Sequence, residues 1–148
     1  MQKYCLKKAD EMKNEARLLK GYLQENKSSI RLPFVSGFPK NSCEVSVIVL
    51  SVIAKYNSVE NLKIIKGYDR NDDIYHYWVS YEGELIDITI EQFGKDLTLE
   101  NRAAIYKKFL SSTECYSIDD FLLSNEIYDQ YEPEFKQLAN IILNVQAK

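Results

Sequence analysis

The sequence predicts an α+β fold, with helices and strands segregated along the chain and the strands forming a small antiparallel sheet. Two observations carry this. Residues 3–25 repeat apolar groups at helical spacing. Three later runs, "NLKIIKGY" (61–68), "IYHYWVSY" (74–81) and "ELIDITI" (84–90), hold the β-branched and aromatic residues that strands favour. The predicted order is helix, loop, buried helix, three strands, flanking helices. A chain of 148 residues suits one domain, 1–148, and can bury a core without disulfides or a metal.

Each element has its own justification. In 3–25, Leu6, Ala9, Met12, Ala16, Leu19 and Leu23 form one apolar stripe. Lys3, Lys7, Lys8, Lys13, Arg17 and Lys20, interleaved with Asp10, Glu11 and Glu15, form the solvated face. The stretch "ENKSSIRLPFVSGFPKNS" has the prolines, glycine and serines of a loop, and so long a loop is more often functional than idle. In 42–56, "VSVIVLSVIA" is β-branched, but its length and its polar entry favour a helix. Asn41 would cap it, with Glu44 three residues on as in a capping box, and Ser42, Cys43 and Glu44 would form its first turn. A helix apolar almost all round belongs at the domain centre. Asp-rich "DRNDD" separates the first two strands, and Glu82-Gly83 makes a hairpin turn between the last two. Beyond Gly94, Thr98 caps a helix over 99–110 with Ala103, Ala104, Ile105, Phe109 and Leu110 as its apolar content. Ser117 caps a short helix through Leu123, and Pro133 opens a last helix, "PEFKQLANIILNVQ".

Composition excludes several classes of function. The net charge of −3 with no basic stripe argues against nucleic acid. The longest unbroken apolar stretch, Val47–Leu50, is far short of a membrane span. Three widely spaced cysteines, Cys5, Cys43 and Cys115, follow a start, "MQKYCLKKADEMK", that has no apolar signal core. The expectation is free thiols in a reducing, cytoplasmic setting, or in an effector exported or injected without a cleavable signal. One histidine and scattered cysteines do not make a structural zinc site, and no metal or organic cofactor is implied. Eleven tyrosines suit a sheet or a binding groove. Oligomeric state is left open.

The chemistry-bearing residues follow from strand geometry. With Glu82 and Gly83 as central turn residues, Tyr81 pairs with Glu84, Trp78 with Asp87 and His76 with Thr89. His76, Trp78, Asp87 and Thr89 then share a face, with His76 and Asp87 diagonal neighbours about 7–8 Å apart at the backbone. A three-residue loop would put His76 and Asp87 on opposite faces. Cys43, in the first turn of a buried helix, would feel the positive helix end, and His76 could supply an imidazolium; both favour the thiolate. Asp87 would orient the imidazole. The Cys43 backbone N–H could stabilise an oxyanion, with Asn41 or Gln92 as a second donor, and Trp78 and Tyr77 could contact substrate. Each residue also has an inert reading: Cys43 as a small core side chain, His76 as a half-buried strand residue, Asn41 as a cap, Gln92 as a surface amide, Trp78 and Phe93 as core or groove wall, and Cys5 and Cys115 as incidental thiols.

The motifs "FPKNSCEVSVIVL", "HYWV" and "LIDITIEQF" add a resemblance. A Cys opening a buried helix, then a strand with His-x-Trp, then a strand with Asp, resembles the transglutaminase-like branch of the papain-like cysteine enzymes. Phe38-Pro39 before the Cys and the closing Asp87, Thr89, Gln92, Phe93 pattern are similar to bacterial members of that group. The resemblance covers about residues 32–94. It implies a papain-like or transglutaminase-like core, with Cys43, His76 and Asp87 as a triad acting on an amide of a peptide or protein through an acyl-enzyme. The outcome would be a peptidase, a deamidase or an acyltransferase. Two positions depart from the pattern: Tyr77 follows the histidine and Glu44 the cysteine, where small residues are expected. The alternative is a fold that has lost its chemistry and binds peptides, with Tyr75, Tyr77, Tyr81 and Trp78 lining a groove. A weaker idea gives the basic first helix a role in partner binding.

Overall fold

The computed structural model describes the backbone of residues 2–147 and the side chains of residues 9–145. Helix α1 (Gln2–Asn26) buries Ala9, Met12, Ala16, Leu19 and Leu23, the expected stripe. The side chains of Cys5 and Leu6 lie outside the described residues. Helix α2 (Cys43–Tyr56) is buried without a break from Val45 to Ala54. Its β-branched run stays helical because apolar neighbours surround it on every side. Ser51, inside that run, donates its hydroxyl to the Val47 carbonyl at 2.6 Å and so needs no outside partner.

The sheet is antiparallel throughout, in the order β3-β2-β1-β4: β1 (Lys63–Asp69), β2 (Ile74–Tyr81), β3 (Glu84–Ile86) and β4 (Ser112–Ser117). The hairpin register is the expected one, with Tyr81 opposite Glu84. Glu82 at φ +52° and Gly83 at φ +76° are both left-handed, the backbone of the type I′ turn that matches strand twist. Two expectations fail. β3 ends at Ile86 rather than 90, because the Asp87 carboxylate accepts the Thr89 N–H at 2.9 Å and turns the chain out of the ladder. Thr89 therefore does not pair with His76 across the strands, and a 3-10 turn, Ile90–Phe93, follows. The fourth strand, "STECYS", was not expected. It is an exposed edge paired to β1 alone, so it shows no apolar alternation.

The remaining helices are α3 (Leu99–Lys108), α4 (Ile118–Ser124) and α5 (Glu126–Ala147). Thr98 and Ser117 are caps as expected, accepting from Asn101 N–H at 3.1 Å and Asp120 N–H at 3.2 Å. α3 corrects the predicted apolar set. Ala103, Ala104 and Leu110 are exposed, whereas Phe109 is buried and Ile105 and Tyr106 are half-buried. α5 starts before Pro133 and bends at Tyr131 (φ −121°, ψ 26°), so Pro133 falls in the first turn beyond the bend. α1, α2, α5 and the neighbouring sheet face share one largely aliphatic cluster running from Ala9 to Ile142. Among the described residues no helix is long and apolar enough to cross a membrane.

A second packed region contains Trp78 and Phe109. A Cβ placed on Gly67 would come within 2.7 Å of Phe109 Cβ and 2.8 Å of Trp78 Cη2. Glycine is required there so that the chain at Phe109 can lie on β1, where its carbonyl accepts the Tyr68 N–H at 3.0 Å. This region holds the candidate site.

Candidate active site

Cys43 is half-buried and is the first residue of α2. The capping differs from expectation. Asn41 sits exposed in a left-handed conformation (φ +59°), and Ser42 is the N-cap. The Ser42 hydroxyl does not accept from the helix. It donates to the carbonyls of Phe34 (2.5 Å) and Lys40 (3.0 Å), tying the preceding loop to the helix start. Glu44 does not complete a capping box either, because its Oε2 accepts from Asn125 Nδ2 at 2.9 Å. The first turn of α2 thus has no side-chain cap. Its leading N–H groups have no intrahelical acceptor and point their partial positive charge toward Cys43.

His76 is wholly buried on β2. Its Nε2 lies 2.5 Å from Asp87 Oδ2, so the two meet although Asp87 has left the ladder. Asp87 is held from several sides. Oδ1 accepts the Thr89 N–H at 2.9 Å and the Thr89 hydroxyl at 3.1 Å, while Oδ2 also accepts the Tyr106 hydroxyl at 2.7 Å. With these donors fixing both of its oxygens, the carboxylate is held in place as an acceptor for His76. With the Nε2 proton directed to Asp87, Nδ1 is the nitrogen left to face Cys43.

The ionisation of His76 reflects opposing effects. Burial acts to lower its pKa. Hydrogen bonding and electrostatic interaction with Asp87 and then Cys43 outweigh burial and raise it to about 9. The same interactions make Cys43 a close neighbour of the imidazole. Gln92 Nε2 stands 3.4 Å from His76 Nδ1 and 3.5 Å from the Thr89 hydroxyl, which places its amide beside the cysteine–histidine contact.

Aromatic rings wall the imidazole. Phe93 packs edge-on at 5.1 Å between centroids, with Phe109 at 5.3 Å, Trp78 at 5.7 Å and Tyr106 at 6.3 Å. Trp78, 6% exposed, is one of these walls. Strand alternation sends Tyr77 to the other face, where it packs on the aliphatic cluster and on Phe121. The departure at Tyr77 is accommodated in this way, and that at Glu44 by the bond to Asn125.

The structure brings Cys43, His76, Asp87 and Gln92 together and leaves Asn41 outside, with its side chain making no hydrogen bond among the described residues. Cys115 is exposed on β4. Sequence reasoning missed Tyr106. Its only available signal was a hydroxyl one turn before Phe109 on a helix whose inward face was misassigned. Among the described residues no group of three or more His, Cys, Asp or Glu side chains is arranged to hold a metal ion. Comparisons of the chain with protein families, with curated proteins and with solved structures find no match.

Proposed function

We propose that the protein is a thiol enzyme with a transglutaminase-like or papain-like core, acting on amide bonds of a peptide or protein through Cys43, His76 and Asp87. The observation that carries this reading is a buried imidazole held at 2.5 Å by a fully supported carboxylate and facing a cysteine at an uncapped helix start.

In this reading the Cys43 sulfur attacks the substrate carbonyl carbon as a thiolate, with His76 holding the proton on Nδ1. The carbonyl oxygen takes up the negative charge, near the Cys43 N–H and the Gln92 amide. The tetrahedral adduct collapses to a thioester, the C–N bond breaks, and the Nδ1 proton leaves with the amine. Water attacking the thioester, losing its proton to His76, gives hydrolysis or deamidation. A second amine in place of water gives transamidation. Asp87 positions His76 and stabilises its charge without taking the proton. Asn41 and Trp78 have no part in these steps.

The binding-module reading draws on one specific feature, the complete burial of His76 beneath aromatic rings. A peptide carrying a thiol-reactive electrophile separates the two. The enzyme reading predicts covalent capture mapped by mass spectrometry to Cys43 alone, lost in His76→Ala. Slow, equal capture at Cys5, Cys43 and Cys115 in the folded protein would favour the inert module.

A further inference from the structure

A groove of about 380 Å³ opens between the sheet and the α4–α5 junction, lined by Glu44, the residue after Cys43, and by Lys66, Tyr77, Tyr116, Phe121 and Asn125 among others. We propose that this groove is a specificity subsite for a basic side chain, lysine or arginine, of the peptide substrate, with Glu44 as its charge partner. The proposal rests on the reading of Cys43 as nucleophile and names what the substrate carries next to the attacked bond.

The floor of the groove is aromatic. Tyr77 and Tyr116 pack on Phe121 with centroids 6.1 and 5.9 Å away. Rings of this kind accept the methylene stem of a long basic side chain and, over their faces, its cationic head. The protein's own Lys66 illustrates the fit: its ammonium rests 4.5 Å from the Tyr75 ring centre and 5.6 Å from that of Tyr77.

The charge is supplied by Glu44. Asn125, itself 8% exposed, donates to Glu44 Oε2 at 2.9 Å, and its own Oδ1 is fixed by the Tyr128 N–H at 2.8 Å. The carboxylate is thereby held on a rigid junction of two helices, as a recognition group requires. Among the described residues Glu44 forms no ion pair, so the carboxylate is half-buried without a cation. Glu126 also lines the groove, and Glu114 accepts the Tyr116 hydroxyl at its edge, against Lys66 as the one lining cation among the described residues. A guest with a positive charge complements this balance; one with a carboxylate would meet two of the same sign. The groove adjoins the reactive centre, since Glu44, one of its lining residues, directly follows Cys43 in the first turn of α2, and Tyr77 in its floor directly follows His76 on β2. That phenol is raised above its ordinary value, by burial first and then by Glu44 and Cys43.

The test needs no known substrate. In a Cys5→Ser, Cys115→Ser background, Cys43 is labelled by methanethiosulfonates carrying a trimethylammonium, a sulfonate or no charge; the thiolate forms a disulfide and methanesulfinate departs. The folded protein should favour the cationic over the anionic reagent by roughly tenfold more than the urea-unfolded chain does. Glu44→Gln should abolish that excess. Ser124→Phe, which fills the groove without changing charge, should abolish most of it too while the neutral reagent still reacts. An excess absent in the folded protein, a preference for the anion, or an excess that survives Ser124→Phe would overturn the subsite. Failure of the nucleophile reading shows separately, as a neutral-reagent rate at pH 6 that His76→Ala leaves unchanged.

Discussion

Two buried carboxylates in this molecule are treated in opposite ways. Glu15 on α1 is 2% exposed, and the side chain of Asp87 is likewise 2% exposed. Asp87 accepts from Thr89 twice, from Tyr106 and from His76. Glu15 accepts one bond, from Asn57 Nδ2 at 2.6 Å on Oε1, and its Oε2 is buried with no partner. The consequences differ accordingly. Burial, opposed by the Asn57 bond and aided by the charge of Glu11, raises the pKa of Glu15 to about 7. At Asp87 the protein instead surrounds the carboxylate with donors and sets it against His76. Burial alone neutralises a carboxyl; burial with donors and a cation turns it into part of a site.

The contrast can be broken at several points. The largest effect is expected from Asp87→Ala, which leaves a buried imidazole without its partner and should cost about 3–5 kcal/mol in urea denaturation. The single histidine should also lose its elevated pKa in an NMR titration. The fold favours the imidazolium fully below the ordinary value of 6.5, and this preference is lost as pH rises through about 9. A cost under about 1 kcal/mol would remove Asp87 from the centre of the cluster. Next is Glu15→Gln. Glu15 is an acid whose folded pKa lies above its unfolded one, so wild-type stability falls as pH rises from 4.5 to about 7. The variant should gain up to about 3 kcal/mol at pH 8 and little at pH 4. An equal effect at both pH values would mean that Glu15 is already comfortable as a charge.

Gly67→Ala should cost about 1–3 kcal/mol, because the added methyl meets Phe109 and Trp78. The loss should come with slower labelling of Cys43 if the aromatic wall positions His76. Smallest is Tyr106→Phe, which removes one of the donors to Asp87 and should cost about 1 kcal/mol. A larger loss would make Tyr106, and not Thr89, the main support of the carboxylate.

What the sequence revealed and concealed follows the same physics. The His76–Asp87 meeting was legible because a Glu-Gly turn sets hairpin register, and register decides which side chains share a face. The short β3 was concealed, because strand alternation in "ELIDITI" continues past Asp87 while the Asp87–Thr89 bond ends the strand. α2 was legible from length and apolar coverage, but its cap was not. Asn41, Ser42 and Glu44 all suit the role by type, and only the positive φ at Asn41 and the pull of Asn125 on Glu44 decide among them. Strand β4 has exposed residues on both faces over most of its length, so no pattern marks it. Tyr106 and the groove at Glu44 depend on contacts between distant segments, which local pattern does not encode.

The most direct test compares iodoacetamide alkylation of Cys43 and Cys115 between pH 5 and 9, in the wild type and in His76→Ala, with circular dichroism to confirm that both are folded. A working thiol–imidazole pair predicts faster alkylation of Cys43 at pH 6 and loss of that advantage in the variant. Equal rates at the two cysteines in the folded wild type, or an advantage untouched by removal of the imidazole, would contradict it.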